Sequence, residues 1–350
     1  MWGSTEDKWQ RVTFTWKRKV VLTMKLYWKD TNTNVDRWPQ LEIEISEATK
    51  PAIRVMAGSG LKFKIQHDNM PIAWGRVASD YYGCWYLRNQ FEWNKVEAPI
   101  TPITSNDVER SLEHQTERER LTYWGKFFLD ALSKSNATIF YNGTWELSVA
   151  LHDESHVSPF SSKHWKRFNS EKVFYPQRPL WIDWDFRNTS PLLSLKSQPS
   201  EDNGRTKWWR KKVREGTCPP VLAWFISALD SFVIIDGHCR MQAYELEHIK
   251  PTVLVLNAIQ KVKITPDRAT QESILRGLEN RKIHPLKKDI SVDLMNSLLI
   301  SAFDDRPYNR PITSSIAKRD FAKEWLDELL QFKNDSDIDQ EELEGMIAGQ

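Results

Sequence analysis

FVIIDGHCRMQAYELEHIKPTVLVL, residues 232–256, runs from an apolar segment through a polar glycine turn into a helical pattern and out to a second apolar segment. Phe232 to Ile235 is short and β-branched, the composition of a buried strand. Met241, Ala243, Tyr244, Leu246 and Ile249 return at helical spacing until Pro251, which cannot continue a helix. Thr252 to Leu256 reads as the next strand. Asp236-Gly237-His238-Cys239-Arg240 is therefore a strand-to-helix turn, where unpaired backbone N–H groups and the positive end of the helix dipole favour an anion. Gly237 lets the main chain approach a phosphate closely, and Arg240 offers a fork of donors that matches phosphate oxygens.

Working outward, Val221 to Ile226 follows Pro219-Pro220 as another strand, and Ser227 to Ser231 is the right length to join it to the next as a hairpin. Upstream, Thr206 to Glu215 (TKWWRKKVRE) reads as a short basic helix closed by Gly216. The order is basic helix, Gly-x-x-Pro-Pro, strand, hairpin, strand, Asp-Gly-His-Cys-Arg, helix, strand.

That order, with a terminal Gly-x-x-Arg at the turn, resembles the ParB/sulfiredoxin-like superfamily over about residues 191–257. Members with Asp-Gly-His-His-Arg, which include free-serine kinases, match at Asp236, Gly237, His238 and Arg240, and Cys239 replaces a His. ParB proteins carry Gly-Glu-Arg-Arg here and match at Gly237 and Arg240. Sulfiredoxins carry Gly-Gly-Cys-His-Arg, and the reversed order of His238 and Cys239 moves the thiol away from their nucleophile position. The resemblance implies a cradle for the phosphates of a nucleoside di- or triphosphate with Mg²⁺, formed by Gly237, His238, Cys239 and Arg240. It also implies that a basic residue ahead of the proline turn, Lys211 or Arg214, helps to hold phosphate.

Each of these residues has a plainer role beside the chemical one. Asp236 suits a magnesium ligand or a proton acceptor, and equally a helix cap. His238 suits a phosphate donor or general acid/base, and equally a buried imidazole held by a carbonyl. Cys239 sits where a helix dipole lowers a thiol pKa, yet lone cysteines are commonly small core residues. Lys211, Arg214, Glu245 and Glu247 read otherwise as solvated helix residues. Asp304, Asp305 and Arg306, on a proline-bounded loop, are a second polar cluster, structural unless they face a metal or substrate.

The remaining chain frames this motif. The 350 residues carry a formal net charge of +2, which gives no reason to expect nucleic acid or an anionic membrane as partner. Three scattered cysteines, Cys84, Cys218 and Cys239, form no metal spacing or disulfide framework and favour a reducing, cytoplasmic setting. No segment has the length and apolarity of a membrane span. Seventeen tryptophans, most of them before residue 225, suit a β-rich core or an aromatic surface for a protein partner.

The expected architecture is α+β in three parts. Residues 1–153 form a Trp-rich, β-rich domain, with strands including 41–45, 52–56, 61–65 and 84–91, one helix over 107–133, and a strand over 149–153. Residues 154–190 connect it to the ParB/sulfiredoxin-like α/β domain, 191–262. A helical region, 263–333, packs on that domain with helices over 289–302 and 315–332, and the acidic tail 334–350 is expected to be disordered. Three functional readings follow. One is an enzyme that transfers or hydrolyses a phosphoryl group, with Asp236 and His238 as its catalytic pair. The second is a non-enzymatic regulatory protein that binds a partner through the Trp-rich domain. The third, by analogy with ParB, is a DNA-associated protein, against which stand the small net charge and the lack of a helix-turn-helix.

Overall fold

The computed structural model describes residues 10–12, 24–30, 40–90, 97–150, 167–176, 178–184, 189–263, 265, 267–283, 296, 299–300, 302–303, 308–333, 335 and 338–349. Most of residues 289–302, and the whole Asp304-Asp305-Arg306 cluster, lie outside these.

The chain begins with strands β1 (Gln10–Val12), β2 (Lys25–Asp30) and β3 (Leu41–Ser46). A meander follows: β4 (Ile53–Ala57), β5 (Lys62–His67), β6 (Met70–Val77) and β7 (Gly83–Arg88). Helices α1 (Ser105–Ser111) and α2 (Glu117–Lys134) come next, where one helix was expected. Each opens on its own capping box, Thr104 with Asp107 and Thr116 with Glu119, so two N-termini are specified locally and the run breaks between them. Strand β8 (Gly143–Val149) starts at the glycine read as a turn and ends where a strand was expected to begin.

Residues 154–190 hold more than a connection, since β9 (Arg167–Phe174) and β10 (Leu180–Asp183) form there. The motif region then unfolds in the expected order: β11 (Thr189–Leu193), α3 (Gly204–Arg214), β12 (Val221–Ile226), β13 (Ser231–Asp236), α4 (His238–Leu246) and β14 (Val253–Val262). Helix α5 (Arg268–Ile283), strands β15 (Tyr308–Ile312) and β16 (Ser315–Ala317), and helices α6 (Phe321–Leu330) and α7 (Gln340–Ala348) complete the chain.

The architecture is mixed α and β, rich in strands early and in helices later. Two sheets organise it. The large one has the order β1-β2-β3-β8-β14-β12-β13-β11-β9, with β15 also paired to β14. The small one has the order β10-β7-β6-β5-β4-β16. The large sheet crosses the boundary expected near residue 153: β8 lies antiparallel to β14 with Trp145 opposite Ala258 and Val149 opposite Leu254. The main core lies between the large sheet, the inner face of the small sheet and helices α2 and α3, and includes Leu41, Tyr86, Phe128, Trp145, Trp209, Trp224 and Leu254. Strands β12 and β13 are apolar on both faces because a second core, with Ala223, Phe225, Ile234 and Met241, fills their other side.

Helices α6 and α7, expected as part of the region next to the motif or as a disordered tail, pack elsewhere. Phe321, Trp325, Leu329, Leu343 and Met346 pack instead with Met56, Trp74 and Leu87, on the outer face of the small sheet. Lys64, 1% exposed, reaches Glu324 at 2.7 Å and Glu328 at 2.6 Å, and the Trp74 indole donates to Glu328 at 2.6 Å. The acidic tail is helical there because Asp339 caps α7 and Leu343 and Met346 are buried. The helix expected over 315–332 begins only at Phe321; Ser315–Ala317 instead pairs with β4 as an edge strand.

One polar row crosses the large sheet. Lys29, Glu42, Glu146 and Asn257 stand opposite one another on adjacent strands. Glu42 accepts from Lys261 at 2.8 Å, and Glu146, wholly buried, accepts from Asn309 at 3.2 Å. Burial pushes the Glu146 carboxyl up to about 7, offset in part by the Asn309 bond.

Candidate anion site at the start of helix α4

Strand β13 ends at Asp236, and the chain turns through Gly237, which takes a left-handed φ of 106° as the N-cap of α4. A Cβ here would lie 2.8 Å from Nη2 of Arg240, so glycine is required both by conformation and by space. No side chain caps the helix, and Asp236 does not serve as its cap. Its Oδ2 instead accepts from Nη2 of Arg240 at 2.6 Å.

Arg240 is turned inward and 2% exposed. Its guanidinium also donates to the carbonyl of Pro220 at 3.1 Å, and lies 5.4 Å from the Trp209 ring centroid and 6.0 Å from that of Phe128. Arg240 thus ties the glycine turn to the proline turn and to helices α2 and α3. Its Nε is buried without a partner.

His238, the first residue of α4, is buried, and its Nε2 has no hydrogen-bond partner. Burial holds its pKa well below the usual imidazole value, and the positive charges of Lys196, Arg240 and Arg88 push it further down. These cations arrive from separate elements for a topological reason. Strands β9, β11 and β13 are parallel neighbours, so their C-terminal ends meet at one edge of the sheet. Lys196 follows β11, and Tyr175 and Pro176 follow β9. Arg88, 2% exposed at the end of β7, donates through Nε to the carbonyl of Pro176 at 2.9 Å. Among the described residues that carbonyl is its side chain's one hydrogen-bond partner. Carboxyl ends of parallel strands are where ligands of open α/β sheets sit.

Cys239 is partly buried on the same turn. Beside it Tyr175 donates to Glu245 at 3.5 Å, and burial raises both groups above their ordinary ranges. Glu245, expected to be solvated, is half-buried in this contact. Glu247 is likewise no free surface residue: Arg210 reaches it at 2.5 Å and Arg214 at 2.7 Å, holding its carboxyl below the usual range.

The turn therefore brings together Asp236, Gly237, His238, Cys239 and Arg240, but not Lys211 or Arg214. Arg214 joins α3 to Glu247 at the far end of α4, about 15 Å from Gly237 by helix rise. Lys211 is exposed and pairs with Glu215 at 3.8 Å. Arg88 and Lys196 were not singled out from the sequence. Arg88 ends an apolar strand (GCWYLR) and Lys196 stands just past one (SPLLSLK), which is the signal available; their convergence depends on strand order.

A phosphate fits this donor set. It would meet the first-turn N–H groups of α4 and two lysine or arginine cations, and the unpartnered His238 Nε2 is a further polar atom for it. Mg²⁺ fits less well as a protein-held ion. Among the described residues no three His, Cys, Asp or Glu side chains converge, and Asp236 is already paired with Arg240. Also among the described residues, no helix is long and apolar enough to cross a membrane. No protein-family model, curated protein or solved structure matches the chain.

Proposed function

We propose that this protein binds the phosphates of a nucleoside di- or triphosphate at the N-terminus of α4. The observation that carries the reading is electrostatic: Arg88, Lys196 and Arg240 all press their positive charge on His238, at a helix start where His238 Nε2 is buried and unpartnered. An oxyanion seated there offsets that charge and accepts from the first-turn N–H groups of the helix.

Arg88, Lys196 and the backbone of His238 to Arg240 are the binding groups in this reading. Arg240 is a positioning residue, because it is buried and its Nη2 already serves both Asp236 and the Pro220 carbonyl. Phosphoryl transfer or hydrolysis is the further step of the same reading. Asp236 then acts as base or as the one protein ligand to a nucleotide-borne Mg²⁺, and it must first leave Arg240.

Thermal unfolding with ATP, ADP, CTP and GTP, each with and without Mg²⁺, tests the binding step. At a hundredfold excess over Kd, a ligand specific for the folded state adds about 2.7 kcal/mol. One nucleotide is expected to raise the midpoint of the wild type, and Lys196→Ala to weaken that shift. If no nucleotide moves the wild-type midpoint, the phosphate reading fails.

A further inference from the structure

At the opposite end of the motif strands, two turns and strand β10 form a ledge of aromatics and carboxylates. Among the described residues only four aromatic side chains are exposed: Tyr81 at 63%, Tyr82 at 56%, Trp181 at 37% and Phe303 at 46%. The first three belong together. Tyr81 and Tyr82 form the β6–β7 turn, and β10 continues alongside it through a bond from the Trp184 N–H to the Tyr82 carbonyl at 2.9 Å. Trp181 stands opposite Trp85 with its ring edge-on at 5.3 Å, and its indole lies across Gly83, where a Cβ would come within 2.6 Å. Gly83 thus clears the space in which the Trp181 indole lies.

The charge on this ledge is one-sided. Segments 78–84 (ASDYYGC), 180–184 (LWIDW) and 227–231 (SALDS) hold three aspartates and no lysine or arginine, against a chain of net charge +2. Asp80 accepts from the Tyr82 N–H at 3.1 Å, and Asp183 lies opposite Gly83. The β12–β13 turn joins from below: Cys84 Sγ and Trp184 Nε1 both donate to the Leu229 carbonyl, and the Asp230 charge reaches Cys84. Arg76, on the strand beside Trp85, is turned away to the carbonyl of Ile347.

We infer that this ledge docks a basic, arginine-bearing extended segment of a partner protein. Guanidinium groups stack on the faces of Tyr81, Tyr82 and Trp181, and the exposed Asp80 and Asp183 supply the countercharge. Clustered exposed aromatics are uncommon on a surface without a partner and are the residue types that anchor interfaces.

Calorimetric titration of the full chain with a Gly-Arg repeat decapeptide, and with its Gly-Glu counterpart, tests this without any nucleotide. Saturable binding of the arginine peptide alone is expected, weakening as salt rises. The double variants Tyr81→Ala/Trp181→Ala and Asp80→Asn/Asp183→Asn, all at exposed positions, should each lower affinity by about tenfold. Circular dichroism and unchanged melting establish that they fold. The inference is overturned if the arginine peptide does not saturate, if the glutamate peptide binds equally, or if neither variant changes binding. It is also overturned if sedimentation shows that the wild type self-associates and that the ledge variants abolish it, since a second copy then covers the ledge.

Discussion

Gly237 is the residue on which the turn depends. Replacing it with alanine forces a left-handed φ on an L side chain and drives a Cβ into Arg240, which must then leave Asp236 or the Pro220 carbonyl. Gly237→Ala is expected to cost about 1–3 kcal/mol in urea unfolding and to abolish any nucleotide-induced rise in melting temperature. Two titrations act in opposite directions. His238 is buried neutral, with its folded pKa below the unfolded value of 6.5, so its contribution is complete above that pH and is lost as pH falls. The wild type should therefore lose stability more steeply than His238→Gln below about pH 6.5, by up to about 1.4 kcal/mol per pH unit. Glu146 has the reverse sign. Its folded pKa, about 7, exceeds the ordinary 4.5, so stability is full below 4.5 and declines as pH rises through 7. Glu146→Gln keeps the Asn309 contact and removes the decline, and should gain about 2 kcal/mol on the wild type between roughly pH 5 and 8.

At the scale of elements, α6 is held by a buried charge. Lys64 lies under two glutamates one helical turn apart, so Glu324 and Glu328 can both reach it. Removing both charges, as Glu324→Gln/Glu328→Gln, leaves a buried ammonium without a countercharge and should cost about 3–5 kcal/mol. Adding Lys64→Met should restore most of that loss; if the triple variant stays as unstable as the double, the charge is not what holds the helix. Elements also show where sequence patterns mislead. The apolar spacing of 107–133 suits one helix, yet the two capping boxes, legible as Thr-x-x-Asp and Thr-x-x-Glu, outweigh it. The tail 334–350 reads as disordered from its charge, but its few apolar residues find a face on the small sheet that local sequence does not reveal.

For the whole molecule, the shared large sheet decides how the chain unfolds. The motif region is not separable: β14 has β8 and β15 as neighbours besides β12, and β8 belongs to the first half of the chain. A fragment of residues 191–262 would present β14 as an open apolar edge and lose the α2 side of the Arg240 pocket. It is expected to show no cooperative unfolding transition by circular dichroism, whereas the full chain does.

The strand–turn–helix–strand order from Val221 to Val262 was legible because it is local. Apolar runs, a proline turn, a glycine that must take positive φ and a proline that stops a helix act within a few residues of one another. The same locality brought Asp236, Gly237, His238 and Arg240 to one turn. Local pattern could not say that Arg240 faces inward, because that depends on Trp209 and Phe128 arriving from other helices. Nor could it find Arg88 and Lys196, or group Tyr81 and Tyr82 with Trp181, because strand pairing brings together residues far apart in the chain. Local sequence sets the strands of the motif region and the place of its glycine turn, since backbone sterics and short-range burial fix both. Which cations surround that turn, which aromatics stay in water and what covers each sheet face were decided only by tertiary structure, because they depend on the order of strands in the sheets.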